Sequence, residues 1–304
     1  MIYRAYGKIN LSLNITGVRE DGYHTLESIF LPIDFFDQIE IEKAKTMEYA
    51  SNRYYIRFNE SNTIVKAVEL MKSEFNIEDN FKIYLKKHIP TQAGLAGGSA
   101  DGACIIRALN KMYNLKLDKD KIKELCSCIG SDVLFTYYTK PALVSGVGEK
   151  IEFINVLKNY YVLLIKPRFG VSTKECYELM NLETCVHPDI NKLKIALEKG
   201  EDYIPYLGNS MEDAAISLVG DIKKAKDDLL KAGAPFALMS GSGSTVFTMS
   251  DDINLILKLK ETLENKNYFI RHAKVLKWTI LSNKKMLSYN HWRGSLIWIV
   301  QSSL

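Results

Sequence analysis

The stretch that most constrains this chain is residues 90–103, Pro-Thr-Gln-Ala-Gly-Leu-Ala-Gly-Gly-Ser-Ala-Asp-Gly-Ala. Gly94, Gly97 and Gly98 fall within five residues, and Gly102 follows. Upstream, Phe81, Ile83 and Leu85 alternate with Lys82, Tyr84 and Lys86, the period of a half-buried strand. Downstream, Ala103, Ile106, Leu109 and Met112 recur at helical spacing. Ser99 is placed to cap that helix, with Asp101 in its first turn. The predicted order is strand, glycine-rich loop, helix N-terminus.

A helix N-terminus leaves four N–H groups without partners and carries roughly half a positive charge. Glycines let a backbone approach an anion closely and take positive φ at little cost. Together they form a phosphate cradle. A glycine-rich turn at an ordinary helix start is the plainer reading, and the loop alone leaves both open. Two familiar cradles are excluded. G-x-x-x-x-G-K-[ST] requires a lysine where Ser99 stands, and G-x-G-x-x-G does not match the spacing of Gly94, Gly97 and Gly98. If a triphosphate binds here, its lysine comes from elsewhere.

Near the N-terminus, Ile9, Leu11, Leu13 and Ile15 alternate with Lys8, Asn10, Ser12 and Asn14. The apolar set predicts a strand with one face on a core. The opposite face is unusual, because asparagine and serine are poor strand formers and solvated faces favour Glu, Lys, Arg and Thr. Lys8 is the candidate for the missing cation. Asp21-Gly22 then signals a tight turn, placing Tyr23 and His24 at a loop edge. A lone histidine is commonly structural, whereas an aromatic beside it on a turn suits stacking on a planar ligand. Residues 26–58 read as several short strands with turns near Asp34 and Ser51, and residues 61–75 as an amphipathic helix striped by Ile64, Val65, Val68, Met71 and Phe75.

A helix over 119–129, capped by Asp118, runs into Gly130-Ser-Asp-Val133. Asp132 there is either a turn former or a carboxylate presented to a cleft. A composition change near residue 150 suggests a boundary. Beyond it come a buried strand at 160–165 and a capping box, Ser172-Thr-Lys-Glu175, opening a helix that carries Cys176 and Tyr177. Mainly helical chain follows to 232, broken at Pro188, Pro205 and Gly208. A strand at 236–239, a second glycine-rich run at 240–244, a strand to Met249, a helix at 253–263 and a strand at 268–276 complete a split βαβ, ferredoxin-like layer. The second glycine run is too closely bounded by strands to be a linker.

The totals fit a globular chain of one large or two ordinary domains: 304 residues, 47% hydrophobic and 25% charged. A net charge of +4, with scattered lysines, argues against a nucleic-acid partner. No window nears the ~18 apolar residues of a membrane helix, and the first residues lack a signal-peptide core. Five cysteines without a C-x-x-C pair read as reduced thiols in the cytoplasm, Cys126 and Cys128 being structural.

Lys8 on a leading strand, residues 90–103, and residues 240–244 occur in the order of the three motifs of the GHMP kinases, which the chain resembles over about residues 5–275. Lys8-Ile-Asn-Leu-Ser-Leu-Asn14, Arg19-Glu-Asp-Gly-Tyr-His24, Gly130-Ser-Asp-Val133, Gly146-Val-Gly-Glu149 and Met239-Ser-Gly-Ser-Gly-Ser244 are similar to the branch that phosphorylates a cytidine-diphosphate-linked methylerythritol. The resemblance implies an α+β, two-domain GHMP kinase fold. Residues 1–150 would be a ribosomal-protein-S5-domain-2-like catalytic domain, 151–280 a ferredoxin-like domain, and 281–304 an extension of unknown role. It implies phosphoryl transfer from ATP to the 2-hydroxyl of that polyol, with Mg2+, on the non-mevalonate route to isoprenoid precursors. Both partners are small molecules. Lys8 and Asp132 would be the catalytic pair. Pro90, Thr91, Gln92, Ala93, Gly94, Leu95, Ala96, Gly97, Gly98, Ser99 and Ala100 would cover the ATP phosphates. Asn10 would face the methylerythritol diphosphate, Tyr23 and Tyr177 would stack on the cytosine, and His24 would bond its edge. Gly241, Ser242 and Gly243 would complete the acceptor site. The metal ligands are not assigned.

The chain departs from that pattern in three places. Leu134 stands for a proline, Thr139-Lys140-Pro141 for a glycine pair, and Asn209-Ser-Met-Glu212 for Asn-Asp-Leu-Glu. The apolar end, with Leu296-Ile-Trp-Ile-Val300, is not explained by any motif.

Overall fold

The computed structural model describes residues 1–277. The expected extension at 281–304 lies outside the described residues. Two long strands, β1 (Ile2–Val18) and β2 (His24–Ala44), form an antiparallel hairpin around the Asp21-Gly22 turn. Gly22 takes φ +82° there, a conformation that L side chains rarely adopt. β1 occupies one edge of β2. The other edge is shared by β4 (Asn80–Lys86), paired with residues 38–44, and β5 (Ala142–Gly146), paired with residues 26–30. β3 (Glu48–Ser51) adds to β4 in parallel, and β6 (Lys150–Phe153) adds antiparallel to β5.

The turn expected at Asp34 does not form, because β2 runs through it. Pro32 is tolerated inside this strand because the hairpin register shifts between Tyr6 and Lys8, opposite it. The Pro32 carbonyl accepts the Leu276 N–H, and the Asp34 carboxylate accepts the Lys274 N–H.

Helices α1 (Thr63–Phe75), α2 (Gly97–Met112), α3 (Lys119–Ile129) and α4 (Val133–Tyr138) bury one shared core against this sheet. Asn62 caps α1 and Asp118 caps α3, each side chain accepting a first-turn N–H. α2 is capped three residues before the expected Ser99. Its cap is Ala96 at φ +53°, and no side chain accepts from its first turn. Thr139 ends α4 in the left-handed conformation a glycine would take more easily, at roughly 1 kcal/mol.

The second layer is a four-stranded antiparallel sheet in the order β10-β7-β9-β8, the strand order of a split βαβ. Its parts are β7 (Tyr161–Lys166), α5 (Thr173–Leu179), α6 (Ile190–Lys199), a 3-10 turn (Ile204–Tyr206), α7 (Glu212–Leu218), α8 (Asp221–Lys231), β8 (Leu238–Met239), β9 (Val246–Ser250), α9 (Ile253–Leu263) and β10 (Phe269–Lys274). Because β6 still pairs in the first sheet, we propose that the division between the layers falls within 154–160 rather than at 150.

β1 ties the layers together. Ile9 and Leu11 pack with Val162, Leu164 and Phe247, while Leu13 and Ile15 pack with Leu163, Ile165 and Met211. Its polar face is also buried, with Lys8 3%, Asn10 2% and Ser12 0% exposed. Buried polar groups need partners. Those partners define the site.

Candidate active site

The two layers enclose a cleft of about 1350 Å³. On its floor, Lys8 Nζ lies 2.5 Å from Asn10 Oδ1 and 3.3 Å from Asp132 Oδ2, over the Phe30 ring at 4.3 Å from its centroid. Asp132 stands at the N-cap position of α4 without capping it, so its carboxylate remains directed to Lys8. Asn10 lines the cleft and is also bonded within its floor. Its Nδ2 donates to Ser28 Oγ at 3.0 Å, and Ser28 Oγ donates to the Ser12 carbonyl. Asn10 therefore holds the lysine, and the asparagine–serine face of β1 is a scaffold for one ammonium.

Above this pair lie residues 90–99. Gly94, at φ +70°, passes so close to the third loop that an added Cβ would stand 1.9 Å from the Ser240 carbonyl oxygen. Ser240 Oγ donates to the Gly94 carbonyl at 3.0 Å and accepts the Asn10 N–H at 3.1 Å. One serine thus joins all three motifs. The α2 N-terminus, uncapped by any side chain, opens toward the cleft through Gly97, Gly98 and Ser99. Ala100 does not line the cleft. It is buried in the helical core, and its N–H is already donated to the Ala96 carbonyl.

The third loop is fixed from behind. Asn209 Nδ2 donates to the carbonyls of Met239 and Gly241, both at 2.8 Å, and Glu212 Oε2 accepts the Met239 N–H. Gly241, Ser242 and Gly243 line the cleft, and Ser242 Oγ lies 2.7 Å from Thr173 Oγ1 at the start of α5. At the other end, Tyr23 is 66% exposed, while the His24 ring stacks on Tyr177 at 4.3 Å between centroids. Burial holds the His24 imidazole below its usual pKa, hence neutral, and pushes the Tyr177 hydroxyl up to about 12.

A further buried group lies beneath the cradle: Lys87 Nζ sits 2.6 Å from both Asp37 Oδ2 and Asp101 Oδ2. A signal for it was present. Lys87 continues the inward phase of Phe81, Ile83 and Leu85, a position where a lysine needs carboxylate partners. Among the described residues no cluster of three His, Cys, Asp or Glu could hold a metal, and no helix is long and apolar enough to cross a membrane.

A helix N-terminus without a side-chain cap, opening onto a lysine–aspartate pair between these two layers, is the arrangement a small-molecule kinase of the GHMP class requires. The family model described as GHMP kinases N terminal domain matches residues 62–140, and GHMP kinases C terminal matches 182–267. A 4-diphosphocytidyl-2-C-methyl-D-erythritol kinase of Enterococcus faecalis is 40% identical over 256 residues, covering 83% of this chain and 90% of its own. The enzyme of the same name from Clostridium perfringens is 37% identical over 271 residues, covering 88% and 94%. A crystal structure of a 4-(cytidine 5'-diphospho)-2C-methyl-D-erythritol kinase superposes with a TM-score of 0.76 at 27% identity, covering 90% of this chain and 99% of its own. A homoserine kinase from Cytophaga hutchinsonii, 18% identical with a TM-score of 0.68 over 90% of this chain and 94% of its own, shares the fold. The chain belongs to the 4-diphosphocytidyl-2-C-methyl-D-erythritol kinase family, and ATP is its co-substrate.

Proposed function

We propose that this chain transfers the γ-phosphoryl group of ATP to the 2-hydroxyl of 4-diphosphocytidyl-2-C-methyl-D-erythritol, with Lys8 and Asp132 as the catalytic pair. The observation that carries this reading is the Lys8–Asp132 contact of 3.3 Å in the cleft onto which the uncapped end of α2 opens. A tertiary alcohol is hardly ionised at neutral pH. Asp132 accepts its proton as the new O–P bond forms and the bond from γ-phosphorus to the bridging oxygen breaks, releasing ADP. Lys8 orients the carboxylate and offsets charge on the transferring group. Amides of the first turn of α2 hold the phosphates.

Magnesium needs little from the protein, because it keeps its waters and takes phosphate oxygens. The Ser99 hydroxyl, on the uncapped first turn, is a suitable oxygen donor for it. Bound there, the ion would neutralise phosphate charge. The compartment we infer is the cytoplasm, on five cysteines that are all free thiols.

Tyr23 and Tyr177 serve as stacking partners for the cytosine, with His24 at its edge. His24 covers one face of Tyr177, so a base stacked on that face displaces the imidazole ring. Tyr177→Ala is expected to raise the acceptor KM about tenfold or more, since base stacking is worth roughly 1–3 kcal/mol, while the KM for ATP holds. An unchanged acceptor KM removes Tyr177 from the base site. The reaction itself is tested by ADP release with MgATP and four acceptors: the cytidine compound, homoserine, mevalonate and galactose. Turnover with the first alone is expected. Turnover with another instead would retain the phosphoryl chemistry and discard the aromatic end as a cytosine site.

A further inference from the structure

Lys87, Asp37 and Asp101 are buried together, at 3%, 0% and 3% exposure, where the end of β4, the middle of β2 and the start of α2 meet. Asp37 is fully engaged. Its Oδ1 accepts the N–H groups of His88 and Ile89 at 2.5 and 2.8 Å, and its Oδ2 accepts from Lys87. Asp101, the fifth residue of α2, accepts from Lys87 with Oδ2, while its Oδ1 has no partner. The ammonium lies directly under the cradle, 3.1 Å from where a Cβ on Gly97 would be.

We propose that Lys87 is a positioning residue for nucleotide binding: gripped by Asp37 and Asp101, its ammonium fixes the entry to the phosphate loop against the first turn of α2 and so sets the amides that receive the phosphates. The proposal rests on reading that loop as the ATP cradle.

Two features support it. First, one ammonium joins three elements that the loop must hold in register, and preorganised donors are what anion binding requires. Second, the charge balance fits a phosphate neighbour. Two ionised carboxylates around one ammonium would put a net negative charge under the cradle, repelling a polyphosphate. The unpartnered Asp101 Oδ1 is where a proton removes that charge. Desolvation by burial raises the Asp101 carboxyl to about 8, whereas the two carboxylates hold Lys87 above its usual value, so the ammonium persists. The neighbouring ionisable groups are His88 at the loop entry and Cys104 and Arg107 along α2. Burial lowers His88 and raises Cys104 to about 11, so between about pH 7 and pH 9.5 Asp101 is the group among these whose carboxyl changes charge.

The test is calorimetric binding of MgADP, with KM for ATP and acceptor measured alongside. Lys87→Met is expected to weaken MgADP binding and raise the ATP KM at least tenfold, with acceptor KM within about twofold. In the unmodified chain, MgADP affinity is expected to fall as pH rises through about 8, as the carboxyl loses its proton. In Asp101→Asn, neutral throughout, that fall is expected to vanish. A folded Lys87→Met that binds MgADP within about twofold of the unmodified chain overturns the proposal. Where Lys87→Met does not fold, superimposable pH profiles for the unmodified chain and Asp101→Asn overturn it equally. An unmodified chain that binds no MgADP at all would instead remove the cradle reading on which the proposal stands.

Discussion

Replacing Asp132 with asparagine is expected to lower kcat by roughly 10²–10⁴-fold, the usual contribution of a positioned general base. MgADP affinity should hold within about twofold. The substitution keeps the side-chain shape at the start of α4 but removes the proton acceptor. Lys8 retains its bond to Asn10 and its place over Phe30, so the floor of the cleft does not collapse. The proposed nucleotide cradle is at α2, which Asp132 does not touch in its hydrogen bonds or ion pairs. Steady-state turnover and calorimetric binding on one preparation separate the two effects. A near-normal kcat would exclude Asp132 as the base and leave Lys8 with a purely electrostatic role.

The second large effect is expected from Gly94→Ala. Adding one carbon here brings two separate penalties. The residue sits at φ +70°, which an alanine adopts at roughly 1–2 kcal/mol, and the new Cβ would meet the Ser240 carbonyl oxygen at 1.9 Å and its carbon at 2.9 Å. Both obstacles are backbone, so no rotamer change relieves them. Either the first glycine loop or the third must move, breaking the Ser240 Oγ to Gly94 carbonyl bond. A loss of order 3 kcal/mol or more is expected, read as a fall in Tm of several degrees. KM should rise for both substrates, because both loops line one cleft and moving either breaks their register. Gly98→Ala is the matched control, with only Thr63 Oγ1 at 3.9 Å near its would-be Cβ. Equal behaviour of the two variants would mean that the close approach of the loops has no energetic weight.

Much of the fold was legible because local rules and tertiary structure agree. The period-two runs became β1 and β4, and Asp118 and Ser172 cap the helices they were expected to cap. Two misreadings concern where an element begins or ends. Asp34 and Pro32 carry the residue types of a turn, yet a bulge across the hairpin and bonds from residues 274 and 276 keep them in a strand. Ser99 has the chemistry of a cap, yet α2 begins earlier from a left-handed Ala96, which leaves the first-turn amides without a side-chain acceptor. The role of Asn10 in holding Lys8 was not legible, because the side chain that braces it, Ser28, lies 18 residues away. The Lys87 cluster was missed for a simpler reason. Lysines at strand ends are usually solvated, and only its phase with Phe81, Ile83 and Leu85 marks it as buried.

The first strand has one more consequence, concerning synthesis on the ribosome. β1 emerges well before its neighbours: Leu13 bridges Asn209, and Ile33 on its hairpin partner bridges Val275. Ile9, Leu11, Leu13 and Ile15 pack against residues between 162 and 275. The usual order, in which an N-terminal domain completes itself while the rest is translated, is therefore closed to this chain. Its growing hairpin carries an apolar side that is not fully covered until Val275 has been made. Selection on such a chain acts on the interval between the making of the first strand and the arrival of its cover, as well as on the finished enzyme.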